Sequence, residues 1–67
     1  PLFLAKGLTD SGYAKTLGSD NEHLKAFVKQ GNSESFGAIG FGLGNKLDIV
    51  SHKNKFDAIF SLEEKLD

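Results

Sequence analysis

One short segment of the sequence combines aromatic and cationic side chains in a pattern that suits nucleic acid. Between residues 23 and 29 the residue types alternate, so an extended chain would turn its aliphatic residues to one face. The other face would carry His23, Lys25, Phe27 and Lys29. Bases of a single strand stack on exposed rings while ammonium groups follow the phosphates. Tyr13 and Lys15, one segment earlier, are predicted to extend this surface.

The same residues also permit a purely structural interpretation. Phe27 would then pack against a neighbouring domain or a further strand, and the lysines would only keep the surface soluble. The two interpretations differ in their response to salt. Phosphate binding weakens steeply as salt is added, whereas an apolar docking face barely responds.

Patterns typical of a catalytic site are missing from the sequence. His23 and His52 are far apart, and neither has a second ligand at the spacing of a metal site. The serines lack the sharp strand-to-helix turn that exposes a nucleophile. Glu63 and Glu64 are adjacent, so on an extended strand their carboxylates would point to opposite faces. We therefore predict that this chain is not an enzyme and holds no cofactor or metal of its own.

The glycines that follow residue 36 do not form a phosphate-binding loop. They lack the final Gly-Lys-Ser/Thr of a P-loop, and Asn45 stands where a dinucleotide-binding turn needs its third glycine. Strand curvature in a small barrel explains them better.

Turn-forming clusters divide the chain into short segments that are typical of a mainly β protein. Breaks rich in Gly, Asn and Ser leave apolar stretches over residues 2–17, 23–29, 36–41 and 56–62. The first stretch is predicted to form one bent strand or two short strands, and the others one strand each. In the last stretch, one face is predicted to carry Phe56, Ala58, Phe60 and Leu62.

A short helix is predicted between the third and fourth of these segments. Asn45 and Asp48 have the spacing of a capping box, and Leu47 and Val50 share one face. Three strands, a short helix and a returning strand follow the order of an OB-fold barrel whose final strand is missing. We therefore predict a mainly β, OB-like small barrel with about four strands; an SH3-like barrel is the alternative.

Length and composition limit the other possibilities. The 67 residues allow one domain over 1–67, and the start at Pro1 suggests a fragment of a longer protein. The net charge is −1 and all cations are lysines, so any nucleic-acid binding should be weak without a neighbouring domain. No apolar run approaches the ~20 residues that cross a bilayer. The absence of cysteine fits a reducing compartment, and we expect a cytoplasmic protein.

Several short motifs occur in a fixed order along the chain. They are Pro1-Leu2-Phe3, Gly12-Tyr13-Ala14-Lys15, Leu17-Gly18, His23-Leu24-Lys25, the glycine-rich run 36–44, Phe56-Asp57 and Ser61-Leu62-Glu63-Glu64. Together they resemble the C-terminal OB domain of the bacterial RecJ exonucleases. In that family the Glu-Glu pair usually leads into Asn-Glu-Trp-Asn-Gly and a last strand, whereas here Lys65-Leu66-Asp67 follows.

The resemblance implies an accessory role. RecJ enzymes degrade single-stranded DNA from the 5′ end in repair and recombination, and their chemistry lies in upstream domains with an Asp-His-His motif that this chain lacks. The Mn²⁺ or Mg²⁺ ions of the parent enzyme would therefore belong to those domains. The implied partners are single-stranded DNA and the catalytic domains. The alternative is an interaction or interdomain docking module without DNA contact.

Overall fold

The computed structural model describes residues 1–51 and 54–63. The elements in chain order are β1 (Phe3–Asp10), β2 (Lys15–Leu17), β3 (His23–Gln30), β4 (Phe36–Gly40), a 3₁₀ turn (Gly44–Lys46), α1 (Leu47–Ser51) and β5 (Phe56–Phe60). The prediction of a mainly β fold with one short helix before the last strand is confirmed. The described part has five strands because the first predicted segment forms two of them.

β3 is the centre of an antiparallel sheet. Lys25 pairs with both β2 and β4, and Val28 pairs with both β1 and β4. Hence β1 and β2 follow one another along one edge of β3, while β4 lines the other edge. The first half of β1 pairs with β5, and a bulge containing Gly7 at φ 67° interrupts their register. Within the described residues the sheet does not close, because β4 and β5 each pair with a single strand.

The core lies on the inward face of this sheet, beneath α1. The predicted alternation of β3 is confirmed, since Leu24 and Ala26 are buried while their neighbours are only half-buried. Val50 of α1 packs against these two residues, with Leu47 beside it, as the helical spacing predicted. The core is small for a chain of this length, and many large apolar side chains remain exposed.

The predicted helix cap is wrong. The helical region starts as a 3₁₀ turn after Leu43, without any side-chain cap, and Asn45 lies inside that turn. The amide of Gly44 instead donates to the carbonyl of Glu22, 2.9 Å away. The backbone of the β2–β3 turn therefore satisfies the amide that a capping side chain would have bonded.

The last predicted strand is shorter than the sequence suggested. β5 ends at Phe60, and Leu62 follows it as an exposed residue. The interpretations placed on His52, Glu64 and the residues from Lys65 to Asp67 lie outside the described residues. Neither helical element in the described part is long and apolar enough to cross a membrane.

Candidate nucleic-acid interface

The outward-facing side of β3 and its neighbouring strands, here called the outer face, brings most of the predicted site residues together. Lys25 and Phe27 lie two residues apart on β3 and are half-buried. Across the sheet, Lys15 of β2 lies directly opposite Lys25, and Gly37 of β4 lies opposite Phe27. Lys29 shares this face, one step further along β3 and opposite Thr9.

Two aromatic rings meet at right angles on the outer face. The ring centroids of Tyr13 and Phe27 are 6.3 Å apart and their planes differ by 88°. Tyr13 lies in the connection between β1 and β2 and is 71% exposed. The Nζ atom of Lys25 is 5.5 Å from the centroid of the Phe27 ring, a cation–π distance. A corner of two rings with an adjacent cation offers both a stacking surface and a positive charge.

An open cleft lies at this aromatic corner. It has a volume of about 370 Å³ and is lined by Ser11, Tyr13, Phe27 and Ser35. The hydroxyl oxygens of the two serines are 2.7 Å apart and share a hydrogen bond. The lining therefore combines flat apolar walls with a polar hydroxyl pair, which suits a flat heteroaromatic ring.

The Asp10 carboxylate holds the backbone around Tyr13 and Phe27 in place. This residue is only 6% exposed, and its Oδ1 atom accepts a hydrogen bond from the amide of Phe27 at 3.1 Å. Its Oδ2 atom accepts from the amides of Gly12 and Ala14, at 2.8 and 3.1 Å. One carboxylate therefore ties β3 to both residues that flank Tyr13.

The sequence analysis did not single out Asp10 as a positioning residue. A signal was present, because an Asp two residues before a Gly is typical of a turn in which the side chain bonds the backbone two residues on. The bond to Phe27 spans 17 residues and could not be read from local spacing.

The cations of the outer face are not neutralised by the described carboxylates. Lys15 and Lys25 are cross-strand neighbours, an arrangement that costs stability because like charges face each other. Among residues 1–51 and 54–63, the one close contact between a basic and an acidic side chain is that of His23 Nε2 with Glu22, at 3.5 Å, and it includes neither lysine. A bound polyanion would relieve this repulsion.

The side chain of His23 contacts the turn that follows β4. Its Nδ1 atom accepts a hydrogen bond from the amide of Gly42 at 3.0 Å, and its ring meets the Phe41 ring edge-on at 5.5 Å. It therefore links the start of β3 to the turn after β4. Phe41 is 74% exposed beside it, and the sequence interpretation missed this ring because it assigned the glycine-rich segment to curvature alone.

Comparison with known proteins identifies the family. The family model described as the RecJ OB domain matches residues 1–65. The chain belongs to the RecJ OB domain family. No curated protein and no solved structure matches it significantly. RecJ OB domains are non-catalytic accessory domains, so the family agrees with the prediction that this chain is not an enzyme.

The described residues of this RecJ OB domain offer no site that fits the metal ions that the family resemblance implies for the parent enzyme. Across residues 1–51 and 54–63, no three His, Asp or Glu side chains come together as a metal-binding group.

Proposed function

We propose that this RecJ OB domain binds single-stranded DNA on its outer face and guides the strand for a RecJ-like 5′–3′ exonuclease in repair and recombination. The observation that carries the proposal is the pair of cross-strand lysines, Lys15 and Lys25, beside the corner formed by Tyr13 and Phe27. Catalysis would reside in upstream domains that use Mn²⁺ or Mg²⁺, in the cytoplasm. The domain family supports the accessory role.

Stacking is the first part of the proposed interaction. The exposed Tyr13 and half-buried Phe27 present aromatic surface at an open cleft, and each base stacked on a ring contributes about 1–3 kcal/mol. Every base has such a surface, so we expect little sequence preference. The fixed right angle between the rings would hold one base in a defined orientation.

Charge is the second part of the interaction. Two or three phosphates can be reached by Lys15, Lys25 and Lys29, which lie on one face of adjacent strands. For a single strand, two or three such contacts give a slope of about −1.4 to −2.1 in log affinity against log salt. The overall charge of −1 adds no long-range attraction, so the domain would orient a strand that another domain also holds.

The double variant Lys25→Ala with Phe27→Ala is expected to lower affinity for single-stranded DNA at least ~10-fold, because it removes a stacking ring and a phosphate contact. Fluorescence anisotropy of a labelled oligonucleotide at two salt concentrations, with duplex DNA as competitor, measures the effect. A matched control is Lys46→Ala with Phe3→Ala, which removes the same charge and a ring outside the outer face. Wild-type affinity in the folded double variant would refute the assignment.

A second candidate function, docking of another RecJ domain, is favoured by a different surface. Leu4 of β1 and Ile59 of β5 lie opposite each other and are 60% and 70% exposed. Leu2 and Leu62, which lie just outside β1 and β5 in the sequence, are also exposed. An aliphatic surface of this kind marks a protein interface more often than a DNA site. Folded protein that binds no single-stranded DNA at low salt would favour docking over DNA binding.

A further inference from the structure

Two serine hydroxyls meet across β3 on the outer face. The amide of Ser11 donates to the carbonyl of Phe27 at 2.7 Å, so Ser11 lies beside β3 on the side of β1. Ser35 directly precedes β4 and lies beside β3 on the other side. The two hydroxyl oxygens are nevertheless only 2.7 Å apart, and this contact is here called the hydroxyl bridge. The bridge therefore lies over a strand with partners on both edges, and not at an edge of the sheet.

The hydroxyl bridge keeps spare hydrogen-bonding capacity. Among residues 1–51 and 54–63, each of its two hydroxyls has only the other as a hydrogen-bond partner. A hydroxyl has one O–H and two acceptor lone pairs, so the bridge still offers one free O–H and several lone pairs. Either oxygen can be the donor within the bridge. The bridge can therefore present its free O–H on Ser35 and an acceptor on Ser11, or the reverse.

The hydroxyl bridge and the aromatic corner line the same cleft. Its volume of about 370 Å³ is at the lower end of the roughly 300–1,000 Å³ of small-molecule pockets, which suits one base and not several. A base stacked on Tyr13 or Phe27 would bring one of its edges to the bridge, because these rings and the two serines enclose the space. The pairing edge of every natural base carries a hydrogen-bond donor next to an acceptor. A bridge that can reverse its own donor fits either order.

We propose that the hydroxyl bridge of Ser11 and Ser35 binds the pairing edge of one unpaired base, so that this site selects single strands without selecting among the four bases. The inference rests on the proposed function and adds hydrogen bonding to stacking and charge. A base within a duplex has its pairing edge occupied by its partner and must leave the stack before a protein can read that edge. The lysines meet phosphates in either form of DNA, so the preference for a single strand would come from the cleft.

A base analogue tests the proposal on the wild-type chain. Difluorotoluene has the shape and the flat surface of thymine but hardly forms hydrogen bonds. Fluorescence anisotropy at low salt would compare a short labelled oligothymidylate with the same oligonucleotide built wholly from the analogue. The thymine form should bind roughly 5- to 10-fold more tightly, the effect of one or two net hydrogen bonds. Equal or tighter binding of the analogue would overturn the inference alone, whereas binding of neither oligonucleotide would overturn the proposed function as well.

A double variant assigns the preference to the two serines. Ser11→Ala with Ser35→Ala should bind the thymine form and the analogue equally, while its affinity for the analogue stays that of the wild type. Ser19→Ala with Ser61→Ala is the matched control, since it removes two hydroxyls that do not line the cleft, and it should keep the preference for thymine. Added salt should weaken both oligonucleotides by the same factor, because their phosphates are identical. A folded Ser11 and Ser35 double variant that still prefers thymine would contradict the assignment.

Discussion

Replacing Asp10 with alanine is expected to lower the free energy of unfolding by roughly 3–5 kcal/mol, because three part-buried hydrogen bonds to backbone amides are lost together. The carboxylate accepts hydrogen bonds from Phe27, Gly12 and Ala14, and the residue is only 6% exposed. A domain of this size has a total stability of roughly 3–10 kcal/mol. The variant should therefore lose between about a third and all of the stability of the domain.

Urea unfolding followed by circular dichroism, at one fixed protein concentration, measures this loss. Asp57→Ala is the matched control, since its carboxylate accepts a single bond, from the amide of Gly7, at an exposed position. Asp57→Ala should lower the free energy of unfolding by less than ~1 kcal/mol. If both aspartate variants lost the same stability, Asp10 would not be the anchor that its contacts indicate. In the residual folded fraction, weaker DNA binding would further support its role in positioning Tyr13.

Replacing Gly44 with alanine is expected to lower the free energy of unfolding by about 3 kcal/mol, which is the upper end of the penalty for adding atoms to a well-packed site. A Cβ built at Gly44 would lie against the backbone carbonyl oxygen of Asn21, and backbone cannot swing aside as a flexible side chain can. The turn before β3 would have to move, which would also strain the bond from the Gly44 amide to Glu22. His23, which follows Glu22 in the sequence, would shift with that turn.

Gly37→Ala is the appropriate comparison for this prediction. At Gly37 a Cβ would make ordinary contact with the Phe27 ring, and the backbone is not in the left-handed region. The substitution should change stability by less than ~1 kcal/mol, since it also restricts the unfolded chain. Thermal unfolding of the two variants, measured side by side, separates the effect of the steric clash at Gly44 from the general effect of replacing a glycine with alanine. A Gly44→Ala variant as stable as Gly37→Ala would show that the turn is more adaptable than the structure implies.

The sequence was sufficient to predict the elements whose signals are local. The alternation around Lys25 and Phe27 predicted β3 and its two faces, and the spacing of Leu47 and Val50 predicted the buried side of α1. These predictions succeeded because a period of two or of three to four residues determines which side chains point the same way. The structure places Lys15 and Tyr13 beside β3, because the first segment folds back along its edge.

Features that depend on contacts between residues far apart in the sequence could not be predicted. Asn45 had the spacing of a cap, but the β2–β3 turn supplies the bond that the cap would have made. Asp10 acts through an amide on another strand, and Phe41 stands out only because His23 lies against it. In each case the deciding partner is far away in sequence, where composition and periodicity carry no information. Whether the predicted site residues contact DNA stays a prediction.

The double pairing of β3 has a consequence for hydrogen exchange. Because β3 has partner strands on both edges, exposing all of its amides requires the strands on both edges to separate. The amides of β3 that face β1 and β2 should therefore exchange more slowly with solvent than the amides between β3 and β4, which can exchange by fraying of β4. Lys25 and Phe27 of the candidate site thus lie on the strand of the described fold that is paired along both edges. A strand binding there would lose its own conformational entropy while costing the protein almost none.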